Sequence, residues 1–113
     1  SGVGKALCAW LPQQKIDELL PEEILPKYTE TTITSKKALL EEFSRIRKQG
    51  WVFDNAEDSP GIYCIAAPVF NRNHDVVAAI SISGVELQMP KDRIPQYSAW
   101  VLEACQALSA KLV

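Results

Sequence analysis

The pattern of apolar and polar positions predicts four helices. In each of them, apolar residues recur three and four positions apart, as expected when one helix face is buried. Ser35 is a good N-cap for the third helix, and Gly50, preceded by Arg47 and Lys48, is a typical residue at its C-terminal end. The first predicted helix covers residues 5–10, and the second opens at Pro12 and carries Ile16, Leu19 and Leu20. The third covers residues 36–49, with apolar Leu39, Leu40, Phe43 and Ile46. The fourth runs from Pro90 or Asp92 to Leu112. The predicted buried stripe of the last helix is Ile94, Tyr97, Val101, Leu102, Cys105, Leu108 and Leu112.

Three segments between the last two helices are rich in β-branched and aromatic residues, which predicts strands at 51–53, 62–70 and 76–83. Residues 71–75 would link the second and third strands as a hairpin. Residues 54–61 are acidic, contain Pro60-Gly61 and are predicted to be a loop, and residues 84–89 a connector. Helices followed by a strand, a hairpin and a helix predict an α+β fold, an antiparallel sheet with helices packed on it.

Length and charge limit the function classes. A chain of 113 residues is one domain, and 47% hydrophobic with 23% charged residues is ordinary for a globular protein. The net charge of −2 lacks the basic footprint that nucleic-acid binding needs. Apolar runs such as residues 62–70 are too short to span a bilayer, and there is no signal-peptide pattern. We therefore expect a cytoplasmic protein with no membrane partner.

The cysteines point to reduced thiols. Cys8, Cys64 and Cys105 are odd in number and widely spaced, without a CxxC pair. That argues against a disulfide framework and against a structural zinc site. With a single histidine in the chain as well, we expect neither a metal nor a cofactor.

Five blocks, in order and spanning nearly the whole chain, resemble one protein family. The stretch Pro60-Gly61-Ile62-Tyr63-Cys64-Ile65-Ala66-Ala67-Pro68-Val69-Phe70 is the most specific, and it resembles the "PGxxCIAAPVFD" box of the IclR-type transcriptional regulators. The other blocks are residues 2–6, residues 28–34 ("YT…TIT"), residues 46–57 ("IRxxGY…DxEE") and residues 77–84 ("VAAISISGP"). Departures from the family pattern are Asn71 for Asp, Val85 for Pro, and Asp58 where the family often has His.

This resemblance implies a GAF-like, profilin-like effector-binding domain of a transcriptional regulator, a sensor and not an enzyme. Residues 1–113 would be its C-terminal two-thirds, with the first strands and an N-terminal winged helix-turn-helix absent from the chain. DNA would be bound only through that missing N-terminal domain. The resemblance also implies self-association as a dimer or tetramer and a small carboxylic acid as effector.

The candidate ligand-binding residues come from four places in the chain. Gly2 and Val3 lie at a helix opening, where backbone N–H groups and the helix dipole attract anions. Ser81 and Ser83 share one strand face, and the apolar residues around them predict that both faces are covered. Taken alone, each feature also fits a plain structural role, as do Asp54 as a turn former and Cys64 as a small core residue. The resemblance favours a ligand pocket formed by all six.

Two other functions compete with the sensor. A dimerisation module would explain the fold but not two inward serines. A thiol enzyme would need Cys64 as nucleophile and His74 as base. Cys64 lies six residues before the end of its strand, and His74 lies in the hairpin loop. At about 3.3 Å per residue they are roughly 20 Å apart, whereas a base must come within about 3 Å. Cys8 or Cys105 paired with His74 stays open from the sequence, although both cysteines lie on apolar helix faces. We predict no catalytic residues.

Overall fold

The computed structural model describes residues 2–112. The helices and strands follow in the order α1 (Gly2–Cys8), α2 (Gln13–Leu19), α3 (Lys36–Gln49), β1 (Val52–Asp54), β2 (Ile62–Phe70), β3 (Val76–Val85), a short 3-10 helix (Lys91–Arg93) and α4 (Ile94–Ala110). The strands form one antiparallel sheet in the order β1-β2-β3. The predicted α+β class is confirmed.

The sheet lies between two layers of helices, because β2 is buried on both faces. Cys64 and Ala66 point to the side of α1 and α3, where they pack with Ala6 and Phe43. The alternate residues, of which Ile65 is fully buried, point to α4 and pack with its Val101 and Cys105. A strand covered on both sides reads as a continuous apolar run, as β2 does.

The ends of α3 follow the predicted capping. The Ser35 hydroxyl accepts a hydrogen bond of 3.0 Å from the backbone N–H of Ala38, which satisfies one donor of the first turn. Gly50 has a φ of 88°, the left-handed conformation that favours glycine, and its N–H donates to Ile46. Phe43 and Ile46 are buried as predicted.

Two helical predictions were wrong in detail. Helix α1 covers Gly2–Cys8, so it begins earlier and ends earlier than the predicted residues 5–10. Ala9 and Trp10 form a turn instead, in which the backbone N–H of Leu11 donates to the carbonyl of Cys8 at 3.0 Å. Leu19 was expected on the buried face of α2 but is 60% exposed, because the helix ends there and Ile16 and Leu20 make the packing contacts.

Helix α4 departs from its predicted stripe at one position. Val101 and Cys105 are buried, but Leu108 is 40% exposed. Ser109 lies on the side of the sheet instead, where its hydroxyl donates a 2.5 Å hydrogen bond to the carbonyl of Phe70, so Leu108 is turned away. Within residues 2–112, no helix is long and apolar enough to cross a membrane.

Strand β3 is two residues longer than predicted. Gly84 and Val85 were expected in a connector, but they pair with Tyr63 and Ile62 because β2 extends that far. The hairpin loop is as predicted, and Asn71 holds it by accepting hydrogen bonds from the N–H groups of Asn73 and Asp75.

Candidate functional site

A cleft of about 200 Å³ opens where the N-terminal end of α1 meets the sheet. Its floor is a row of three residues across the strands, because Asp54 pairs with Cys64 and Cys64 pairs with Ser83. Ser81 occupies the next position of β3 on the same face, opposite Ala66. Strand register therefore brings together side chains that are up to 29 positions apart in sequence.

All six residues predicted from the sequence as ligand-binding lie at this one cleft. Gly2 and Val3 provide the wall from α1, and Asp54, Cys64, Ser81 and Ser83 provide the floor. The structure shows that these six residues lie together, which the sequence pattern alone does not. That they bind a ligand stays a prediction.

The expectation that both faces of β3 are covered at the serines was wrong for the described chain. Ser81 and Ser83 are exposed, and so is Ile82 on the opposite face. Strand β3 is an edge of the three-stranded sheet, and the two serines line the cleft together with Gly2 and Val3 of α1. The two hydroxyls are therefore open to solvent in the cleft.

Gly2 permits the close approach of α1 to β2. A Cβ atom at this position would lie 2.8 Å from the Cys64 Sγ and 3.4 Å from the Ala66 Cβ. The first of these distances is below van der Waals contact, so any larger residue would push the helix from the strand. Ala6, one turn later and fully buried, continues the same small face.

Asp54 is held in place by a buried polar network. Its Oδ1 accepts a 2.9 Å hydrogen bond from the backbone N–H of Glu57, and both residues are buried. The Glu57 carboxylate accepts a 3.0 Å bond from the N–H of Asn55 and forms an ion pair with the Lys5 Nζ at 2.5 Å. Lys5 also lies 3.5 Å from Glu42. The network fixes the cleft carboxylate to α1.

A group of three threonines clamps the loop that carries this network. The Thr29 hydroxyl donates to the carbonyl of Ala56 at 2.7 Å, and the Thr31 hydroxyl donates to Asn55 at 2.5 Å. The Thr32 hydroxyl donates to the carbonyl of Glu57. Ala56 has a φ of 56°, in the left-handed region that L-residues rarely adopt, so the clamp holds a strained turn in position.

Three further residues line the cleft that the sequence interpretation did not place there: Asp58, Ser59 and Ile62. All three follow Asp54 in the predicted loop or open the next strand, so their proximity depends on how the loop folds back. Together with Asp54, Asp58 gives the cleft two carboxylates, and no lysine or arginine lies among its lining residues. The described lining of the cleft is therefore acidic and rich in hydroxyl groups.

The reactive side chains of a thiol enzyme are not brought together. The His74 ring stacks on Phe70 with centroids 4.2 Å apart, at the opposite end of β2 from Cys64. Burial raises the pKa of the thiols of Cys8 and Cys105, which disfavours their thiolates. Among residues 2–112, no group of three His, Cys, Asp or Glu side chains is arranged to hold a metal ion.

Comparison with known proteins gives a consistent family. The model of the bacterial transcriptional regulator IclR C-terminal domain matches residues 1–110. The regulator RhmR of Escherichia coli K12 is 45% identical over 92 residues, which cover 81% of this chain and 35% of that protein. The first three curated relatives are matched over only 35% to 43% of their length, so the chain spans about two-fifths of them.

Solved structures show the same fold. The C-terminal domain of the E. coli regulator KdgR superposes with a TM-score of 0.88 at 37% identity, over 97% of this chain and 67% of that one. The inducer-binding domain of a double mutant of PobR from Acinetobacter, solved with 3-hydroxybenzoic acid, has a TM-score of 0.86 at 24% identity, over 96% of this chain and 63% of that one.

Proposed function

The chain belongs to the family of bacterial IclR transcriptional regulators, whose C-terminal domain it matches, and from this premise we propose that it senses a small carboxylate for a DNA-binding regulator. The observation that carries the proposal is the convergence of Gly2, Asp54, Cys64, Ser81 and Ser83 on one cleft.

The ligand that best suits the cleft is a small acid that also carries a hydroxyl, keto or hydrated-carbonyl group. Ser81 and Ser83 can donate to its carboxylate, as can the first-turn N–H groups of Gly2 and Val3, which have no acceptor within the helix. Asp54 accepts hydrogen bonds from ligand hydroxyls. The 3-hydroxybenzoic acid bound to a double mutant of the PobR inducer-binding domain carries the same two groups, an acid and a hydroxyl.

The two carboxylates of the cleft narrow this class further. Asp54 and Asp58 repel a ligand that is only anionic, and this repulsion is partly relieved at Asp54 by the bond from Glu57. Hydroxyl donors on the ligand convert the same carboxylates into attractive partners. We therefore place hydroxy acids and hydrated keto acids ahead of simple acids.

In the intact regulator, a segment outside this chain would bind DNA, and self-association as a dimer or tetramer would carry the ligand signal to it. The cytoplasm is where such a regulator would act. Sedimentation of the intact protein should show a dimer or larger at micromolar concentration, and a monomer would refute this part of the proposal.

The ligand is tested by thermal shift of the intact regulator with hydroxy, keto, sugar and simple acids. A saturating ligand at about 100 times its Kd adds roughly 2.7 kcal/mol of stability, which is readily measured as a higher Tm. Ser83→Ala removes one hydrogen bond to the ligand and should weaken binding by roughly tenfold. Asp54→Asn keeps an acceptor for the Glu57 N–H and should reduce the affinity for hydroxy acids more than for simple acids.

Ser109→Ala is the matched control, because this serine lies on α4 across the sheet from the cleft. It should leave the ligand affinity unchanged. If no acid shifts the Tm, or if Ser83→Ala binds as tightly as the unsubstituted protein, the cleft is not the effector site.

A further inference from the structure

A second cavity, of about 310 Å³, lies on the other side of the loop that holds Asp54. It is enclosed by α1, α3 and the irregular segment that joins α2 to α3. Its walls are mostly apolar and are formed by Leu20, Leu25, Leu39 and Phe43. Asp58 is the one lining residue that it shares with the cleft.

The polar end of this cavity is the ion pair of Lys5 and Glu57. The two side chains are 6% and 8% exposed, so the pair is taken almost completely out of water. Burying two charges is costly, and such pairs are often less stabilising than apolar residues of the same volume. Because both side chains line the cavity, the ion pair of Lys5 and Glu57 places charged groups at one end of an otherwise mostly apolar wall.

These features are those of a small-molecule site. Ligand sites in proteins are concave, have volumes of about 300–1,000 Å³, and combine apolar walls with a few convergent polar groups. The cavity meets all three conditions.

We propose that this cavity is a second ligand site, which takes a compact, uncharged and mainly apolar molecule with one hydroxyl group. The charge of the ligand follows from the polar end. Lys5 faces both Glu42 and Glu57, so one cation meets two carboxylates, and Asp58 adds another. An anion is disfavoured there, whereas a hydroxyl can donate to a carboxylate. Leu25, Leu39 and Phe43 enclose the apolar body, which has about the size of a single six-membered ring.

The probes are phenol, 4-methylphenol and cyclohexanol, with benzoate as the anion of the same ring size. Binding to the intact regulator is measured by calorimetry and thermal shift. We expect saturable binding of the uncharged probes and much weaker binding of benzoate. Ser83→Ala, which alters only the cleft, should leave the affinity for these probes unchanged, so failure of the effector proposal would not affect this result.

Two variants fill the cavity. Leu39→Trp on α3 and Leu25→Trp on the irregular segment should each reduce probe affinity by about tenfold or more. In the unsubstituted protein, intermolecular NOEs should connect the probe to the methyl groups of Leu25 and Leu39, a measurement that does not depend on how the variants fold. The proposal is overturned if no uncharged probe saturates, if the NOEs go to Ile62 or other cleft residues, or if Ser83→Ala abolishes binding.

Discussion

At the scale of single residues, Gly2 links the fold to the cleft. Gly2 is the first residue of α1 and lies in the wall of the cleft. A Cβ atom at this position would lie 2.8 Å from the Cys64 Sγ. Cys64 is buried, and its Sγ or α1 would have to shift to accommodate that atom. The close spacing of α1 and β2 thus requires a residue without a side chain at position 2, and the shape of the cleft depends on this spacing.

Gly2→Ala is expected to destabilise the domain by about 1–3 kcal/mol, the usual cost of forcing extra atoms into a packed site. It should weaken ligand binding as well, because α1 shifts at the cleft. Removing the opposing sulfur with Cys64→Ala should restore much of the loss in the double variant. Urea unfolding of the two single variants and the double variant measures this coupling, and additive effects would show that the two residues do not clash.

The residue types of the cleft could be predicted, but their support could not. Alternation along the strand is enough to place Ser81 and Ser83 on one face. The resemblance of the chain to a known family adds Asp54 to the predicted pocket. Glu57, which holds Asp54 through its N–H and joins it to Lys5, lies in a loop whose course no periodicity encodes. Asp58 was missed as a lining residue for the same reason.

At the scale of elements, the threonine segment explains how an irregular loop becomes part of a site. The clamp of Thr29, Thr31 and Thr32 fixes the carbonyls of residues 55–57 and holds Ala56 at a positive φ. Without such partners, a loop of seven residues between β1 and β2 would sample many conformations. The clamp stabilises the one that brings Asp54 and Asp58 to the cleft.

Thr32→Val keeps the shape of the side chain but leaves the carbonyl of Glu57 without its donor and the N–H groups of Tyr28 and Thr29 without their acceptor. We expect a loss of about 1–3 kcal/mol, since a buried acceptor that loses its partner carries the desolvation penalty. Ligand affinity should fall too, because the loop carries Asp54. Thr32→Ser retains the hydroxyl and is the control in both the unfolding and the binding measurement. Equal behaviour of the two variants would contradict the role given to this hydroxyl.

The hairpin and α3 were predictable because each is specified by local chemistry. Residues 71–75 carry their own turn former in Asn71, and α3 carries both of its caps in Ser35 and Gly50. The exposure of Ser81 and Ser83 was not predictable, because it depends on which strands and helices lie beside β3. Apolar neighbours in sequence do not determine that.

At the scale of the whole molecule, the net charge bears on DNA binding. The net charge of the 113-residue chain is −2, whereas domains that bind a DNA backbone are usually basic overall. We expect that this chain alone does not retard DNA in a gel-shift titration at low salt, whereas the intact regulator does. Specific retardation by the 113-residue chain would contradict this assignment.

The three free cysteines lie in three different parts of the molecule, so their rates of alkylation report on these parts separately. Cys64 lines the cleft, and Cys8 lines the apolar cavity. Cys105 lies on the buried face of α4, where its thiol donates to the carbonyl of Ala67 in β2. A ligand in the cleft or in the apolar cavity should slow alkylation only of the cysteine that lines the occupied site, while Cys105 should react only when α4 opens.

The labelling rates should also depend on pH. Because burial raises the pKa of Cys8 and Cys105, their labelling should be slow at neutral pH and accelerate as the pH rises. Mass spectrometry of a single labelling time course would thus report separately on effector occupancy, on the second cavity and on local unfolding.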